Sequence, residues 1–198
     1  MSEARDALLG RVVAHYAEHG VHDTSLRTLA AAIGTSQRML HYHFGSREDV
    51  LTAVIDAIAS QQAAQIAQLF ADTADPFAAG RRNWEATVEG AMTFGPLWFE
   101  LATYAMHGAP YAERLKEVMV RAQLRELTAI YAGYTQEGHA RRLARLTVAV
   151  GQGLIFSLLL DGDRPAADEA VEEFADLIAA ALLPPGFQGS DGNSRASA

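Results

Sequence analysis

The sequence contains no cysteine, which excludes a disulfide scaffold, a thiolate metal site and a cysteine nucleophile. That absence fits a reducing compartment. Long apolar runs are missing as well: the longest, Val148 to Leu160, holds 13 residues and is interrupted by Gln152 and Ser157, short of the ~18–20 that a membrane span needs. Met1 to Leu9 mixes Glu3, Arg5 and Asp6 with apolar residues, so no basic segment leads into the apolar stretch of a secretion signal. No membrane association is expected, and the location expected is the cytoplasm. Strand-length alternation of polar and apolar residues is also lacking, which removes a sheet as the organising element.

What is present is 198 residues, 49% hydrophobic and 20% charged, enough apolar material to give one or two small domains a core. The net charge is −8, an acidity that argues against a surface basic all over. The charge is unevenly placed. Between Thr24 and Arg47 lie Arg27, Arg38 and Arg47 and not one of the 24 acidic residues, so a polyanion would meet least repulsion there.

Glycine and proline divide the chain into helix-length blocks. Leu9, Val12, Val13 and Tyr16 share an arc of a first helix ending at Gly20, and Leu26, Leu29, Ala30 and Ile33 share one of a second, capped by Thr24 or Ser25 and closed by Gly34. A third opens at Thr35 or Ser36 and closes before Gly45. Ser46 and Asp49 have the spacing of a capping box, opening a long fourth helix that runs to about residue 70. Further blocks near 76–91, 96–107, 110–134, 139–161 and 165–183 bring the expectation to about nine helices in an all-α chain. Beyond Pro184 and Pro185 a glycine- and serine-rich tail, 186–198, is expected to be disordered.

On the third helix Arg38, His41 and Tyr42 fall within one arc, flanked by Gln37 and Met39, while Leu40, His43 and Phe44 fall opposite. Anchoring by Leu40 and Phe44 would push the first set outward. Their side chains hydrogen-bond base edges and phosphates: arginine to guanine, glutamine to adenine, tyrosine and histidine to phosphate oxygens. A short helix, a turn at Gly34 and a second short helix with a polar outer face make a helix-turn-helix, whose second helix enters the major groove.

The run Thr24 to Leu51 resembles the DNA-binding domain of the TetR family of bacterial transcriptional regulators. Leu29-Ala30 matches an apolar-alanine pair, Gly34-Thr35-Ser36 matches a Gly-x-Ser turn, and Leu40-His41-Tyr42-His43-Phe44-Gly45-Ser46-Arg47 matches Leu-Tyr-x-His-Phe-x-x-Lys. The chain departs from that pattern with His41 for tyrosine and Arg47 for lysine. The resemblance implies that Ser36 caps the recognition helix, that Gln37, Arg38 and Met39 approach base edges, that His41, in the place of the usual tyrosine, touches DNA, and that Arg27, Tyr42 and Arg47 sit on phosphates, where the start of the fourth helix adds its positive end.

Other chemistry finds little support. His15-Tyr16-Ala17-Glu18-His19 spells the His-x-x-Glu-His of some zinc proteases, but no third ligand follows and Tyr16 belongs to the apolar arc, so no metal is expected. His41 and His43 point about 200° apart on a helix and cannot share a metal. Gly-x-Ser-x-Gly, a phosphate-binding loop and a dinucleotide fingerprint are all absent, so neither an enzyme nor a cofactor is expected. Gly151-Gln152-Gly153 reads instead as a place where two helices approach closely.

The division expected is a DNA-binding domain over 1–46 and a helical ligand-binding and dimerisation domain over 47–185. Leu143, Leu146, Val150 and Leu154 form one stripe there, and Val171, Phe174, Ala175, Ile178 and Leu182 form another. Either fits a plain core, while the resemblance implies that these last two helices pair with their copies in a homodimer reading a palindromic operator. It also implies a cavity for a small, largely apolar effector, with Phe94, Trp98, Tyr104, His107, Gln152 and Phe156 as candidate contacts. The expected function is a ligand-responsive repressor. The competing expectation is a helical dimeric carrier or interaction module that has lost DNA binding.

Overall fold

The computed structural model describes residues 3–22, 24–71 and 76–182, and among these every regular element is helical. The tail expected beyond residue 185 lies outside the described residues. In chain order the helices are α1 (Glu3–His19), α2 (Leu26–Ala32), α3 (Gln37–Phe44), α4 (Arg47–Ala71), α5 (Pro76–Met106), α6 (Ala112–Lys116), α7 (Gln123–Ala132), α8 (Glu137–Asp161) and α9 (Arg164–Leu182). A π-helical segment, Glu117–Ala122, joins α6 to α7 without a break.

The N-terminal helices start and stop where their residue types direct. Ser25 accepts the Thr28 amide at 3.1 Å, and Ser36 accepts the Met39 amide at 3.2 Å. Gly34, at φ 68°, makes the left-handed turn between α2 and α3 that a residue with a Cβ would resist. Ahead of α4 the capping box closes reciprocally: Asp49 takes the Ser46 amide at 2.8 Å, and Ser46 Oγ takes the Asp49 amide at 3.1 Å.

One expected boundary is absent. The blocks near 76–91 and 96–107 are a single helix running through Gly95 and Pro96. Proline removes one backbone donor, but Pro96 and Met92, one turn before it, are on the exposed side. Burial of Ala91, Leu97, Trp98 and Leu101 holds the rod on either side of that defect. Gly95 serves packing: a Cβ there would come 2.5 Å from Leu159 Cδ1 on α8. That close approach was expected of Gly151 and Gly153, where an added Cβ would meet nothing within 4 Å of the same chain.

Packing ties the N-terminal helices to the body. Leu8, Val12 and Tyr16 of α1, Leu29 of α2 and Leu40 of α3 share one buried cluster with Val50, Leu51, Val54 and Ile55 of α4 and Leu97 and Leu101 of α5. Each large apolar side chain so buried is worth ~1.5–3 kcal/mol, so the short helices are stable through α4 and α5. Two smaller clusters hold α5 to α8 and α9, and α7 to α8 and α9.

Candidate nucleic-acid interface

Leu40 is 0% exposed, while Gln37, Arg38, Met39, His41 and Tyr42 are all exposed, Tyr42 at 79%. An eight-residue helix fixed by one wholly buried leucine and a half-buried Phe44 therefore turns its entire polar face outward. Arg27 on α2 is exposed as well, and Ser36 occupies the capping position expected of it. The His43 ring packs edge-on to Tyr42 at 5.0 Å.

Two α1 arginines brace this unit, and the sequence pattern did not reveal them. Arg11 Nη1 donates to the Ile33 carbonyl at 3.0 Å, at the end of α2. Arg5 Nε donates to the His43 carbonyl at 3.3 Å, with its guanidinium 4.9 Å from the centre of the Phe44 ring. A cation at a helix C-terminus meets the negative end of the dipole and satisfies carbonyls that lack an intrahelical donor. The partners lie 22 and 38 residues away, beyond the reach of any local periodicity.

Arg47, expected on phosphate, also has partners within the chain. Its Nε donates to the Thr24 carbonyl and its Nη2 to the Val21 carbonyl, each at 2.8 Å, so in this structure the guanidinium braces the segment between α1 and α2. The half-buried side chain lines a cleft of about 390 Å³ with Thr24, Ser25, Glu48, Tyr104, Ala109, Pro110 and Tyr111. Burial pushes the Tyr111 hydroxyl up to about 12, against the opposing pull of Arg47, so it stays a neutral donor across physiological pH. Burial likewise raises the Tyr16 hydroxyl above its ordinary 10.0.

The Ser46 amide and hydroxyl hold the Asp49 carboxyl below its ordinary 3.8. A depressed carboxylate stabilises the fold above its unfolded value, and that contribution fades as pH falls through the folded one. Asp49→Asn should therefore lose stability near neutrality and show a shallower acid limb below about pH 4. Urea midpoints across pH 2–7 measure this, and parallel acid limbs for variant and parent would refute it.

The zinc-protease spelling has no metal geometry. His15 and His19 stack ring on ring at 4.5 Å, and His19 Nδ1 lies 3.1 Å from the His15 carbonyl. Burial first, then the neighbouring His19, lowers the His15 pKa below 6.5. Among the described residues no group of three or more histidine, aspartate or glutamate side chains could hold a metal ion.

The six effector candidates lie in different surroundings. Trp98 lies in the first core cluster, against which Phe94 and Met119 also pack, and Gln152 Nε2 donates to the Met119 carbonyl in the π segment at 2.9 Å. Tyr104 lines the cleft beside Arg47. His107 is exposed, its Nδ1 2.8 Å from the Thr103 carbonyl. Phe156 is 48% exposed, its ring edge-on to Phe99 at 5.2 Å.

The sequence pattern for "Bacterial regulatory proteins, tetR family" matches residues 13–54, the stretch from mid-α1 into α4. Several solved structures share the fold. A TetR transcriptional regulator from Legionella pneumophila superposes with a TM-score of 0.73 at 20% identity, over 90% of this chain and 98% of that one. The TetR-family regulator PfmR from Thermus thermophilus gives 0.63 at 25% identity, over 90% and 96%. The fatty acid degradation regulator FadR from Bacillus halodurans gives 0.70 at 15% identity, over 96% and 99%. No curated protein matches the sequence.

Proposed function

Because the chain is a TetR-family transcriptional regulator with a DNA-binding helix-turn-helix, we propose that it works in the cytoplasm as a homodimeric repressor of a palindromic operator, released by a small, largely apolar effector. The observation that carries this is the face of α3. Gln37, Arg38, Met39, His41 and Tyr42 stand exposed together while Leu40 is fully buried, in a stretch that has three arginines and no acid. Residues 1–46 form the DNA-binding unit in this reading, and 47–185 the effector and dimerisation unit.

The roles divide by chemistry. Gln37, Arg38 and Met39 meet base edges with His41 beside them, Arg27 and Tyr42 sit on phosphates, and Ser36 holds the helix that presents them. Arg47 commits two of its five N–H donors to backbone carbonyls, so it meets phosphate through the remaining ones while bracing the segment between α1 and α2.

A dimer is supported by α8. This helix has a stretch of mean hydropathy 1.8, long and apolar enough to cross a membrane by composition alone, of which 28% is buried within the single chain. Its exposed residues include Leu146, Ala149, Gly153, Phe156 and Leu160, at alternating spacings of three and four. That is the seam spacing of paired helices, with Gly153 leaving room for a close neighbour. On α9, Ala166, Ala170 and Leu177 are exposed. Two copies joined there as a four-helix bundle would set their recognition helices ~34–36 Å apart, one turn of DNA.

The effector belongs to the C-terminal body, where Phe94, Trp98 and Gln152 are the foremost candidate contacts. Tyr104, which lines the cleft beside Arg47, and the exposed His107 are less favoured, while Phe156 lies one turn beyond Gln152 and packs on Phe99, next to Trp98. Such a ligand shifts the dimer only by its differential affinity for two states, ~5.5 kcal/mol for a swing from 1:99 to 99:1.

Selecting bound fragments from a random DNA library tests the reading, with a palindrome expected. On the selected operator, log affinity should fall steeply with log salt, as ~6–10 neutralised phosphates require. Arg38→Ala should cost ~1–3 kcal/mol on the operator and relax the base preference at one position of each half-site. A flat salt response, or equal loss from Arg38→Ala on operator and scrambled duplex, would exclude the assignment.

A further inference from the structure

Two side chains one turn apart on α5 reach across to the segment between α1 and α2. Glu100 Oε2 accepts the Val21 backbone N–H at 2.8 Å, over 79 residues of sequence. The Tyr104 hydroxyl lies 2.9 Å from His22 Nδ1. From the other direction, Arg47 donates to the carbonyls of Val21 and Thr24. Val21 thus has its amide held by an anion from the body and its carbonyl held by the cation that opens α4. Gly20, at φ 72°, makes room for this: a Cβ there would stand 2.6 Å from Glu100 Oε2.

The segment is therefore tied at Val21 to both the body and α4. It joins α1, which braces the ends of α2 and α3 through Arg11 and Arg5, to α2, which carries α3. Its position therefore bears on the tilt of the recognition helix against the body, alongside the buried Leu29 and Leu40. We propose that Glu100, seconded by Tyr104, is a positioning residue for DNA recognition, setting that tilt through the Val21 amide without touching nucleic acid. This rests on the DNA-binding reading above. It adds that the body holds the recognition unit by a route separate from the covalent continuity of α4.

The charge of Glu100 makes the inference testable, because electrostatics and positioning pull in opposite directions. Removing an acid from a protein that binds a polyanion should leave affinity unchanged or raise it, for any DNA sequence. Removing a strut should lower affinity only where geometry matters, on the operator. Glutamine keeps the accepting oxygen and drops the charge, so Glu100→Gln should retain part of the positioning.

The experiment compares the full-length parent, Glu100→Gln and Glu100→Ala on the selected operator and on a scrambled duplex of equal length. Stoichiometric titration fixes the active fraction of each. A charge-assisted hydrogen bond of ordinary strength predicts a loss of about tenfold or more for Glu100→Ala on the operator, with scrambled duplex held within about twofold or bound more tightly. Glu100→Gln, which keeps a neutral acceptor, should fall between the parent and Glu100→Ala on the operator and stay within about twofold of the parent on the scrambled duplex. Should Glu100→Ala not fold, Tyr104→Phe carries the test, with about a threefold loss expected on the operator alone.

Parent-like binding by the variant that carries the test overturns the inference, as do equal losses on both duplexes and a glutamine variant as weak as the alanine one. A parent that selects no DNA removes the functional reading and this inference together. A parent that binds while Glu100→Ala is indifferent removes only this one.

Discussion

Replacing Leu40 with alanine is expected to cost ~2–5 kcal/mol of folding free energy, the range for deleting a wholly buried leucine. The size follows from what the side chain does. It is 0% exposed and is the one residue of α3 that is fully buried. An eight-residue helix is far too short to persist on propensity alone, so its attachment to the core is its stability. The same substitution should abolish selective DNA binding, because Gln37, Arg38, His41 and Tyr42 have no fixed direction once the anchor is gone. Denaturant unfolding gives the free energy and a binding assay gives the second effect. An unfolding midpoint within experimental scatter of the parent's would show that α3 is held by something other than Leu40.

Placing a carboxylate on each of Leu146 and Leu160 is expected to yield a monomer whose operator affinity falls by about 10²–10⁴, the loss when a second linked contact is removed. These positions suit the purpose because they are 52% and 74% exposed in the single chain. Glutamate there adds little strain to an isolated protomer but buries two charges against a second copy, which paired helices do not tolerate. Sedimentation velocity reads the oligomeric state and a gel shift reads the affinity. A double variant that remains a dimer would move the interface off α8.

The N-terminal third was legible because its determinants are local. Ser25, Ser36 and the Ser46–Asp49 box cap helices through partners three residues away, and Gly34 makes its turn within its own neighbourhood. The outward set on α3 follows from helical period and one leucine. Bonds between distant residues carry no periodic trace, so Arg5 with His43, Arg11 with Ile33 and Glu100 with Val21 were invisible, and Arg47 was expected to be free for phosphate.

The body was harder to read for a different reason. The stripe of Leu143, Leu146, Val150 and Leu154 runs from a buried leucine to an exposed one, because α8 is apolar around most of its circumference. A helix with two apolar faces does not say which one its own chain covers. On α9 the expected stripe does turn inward, with Ile178 and Leu182 buried and Val171, Phe174 and Ala175 half-buried, which leaves Leu177 on the outside. At Gly95 and Pro96 two residues that usually punctuate a helix sit within one, since neighbouring burial outweighs a single missing donor.

Among the described residues the π segment between α6 and α7 is where the helical path takes up spare chain. A π turn takes one residue more than an α turn, so those six positions hold a small reserve of length. Deletion of one residue there is absorbed by converting a π turn to an α turn, leaving Arg114 beside Asp56 on one flank and Tyr131 bonded to Thr147 on the other in their present registers. Gln152, which grips the Met119 carbonyl, is the latch that any such rewinding would have to release.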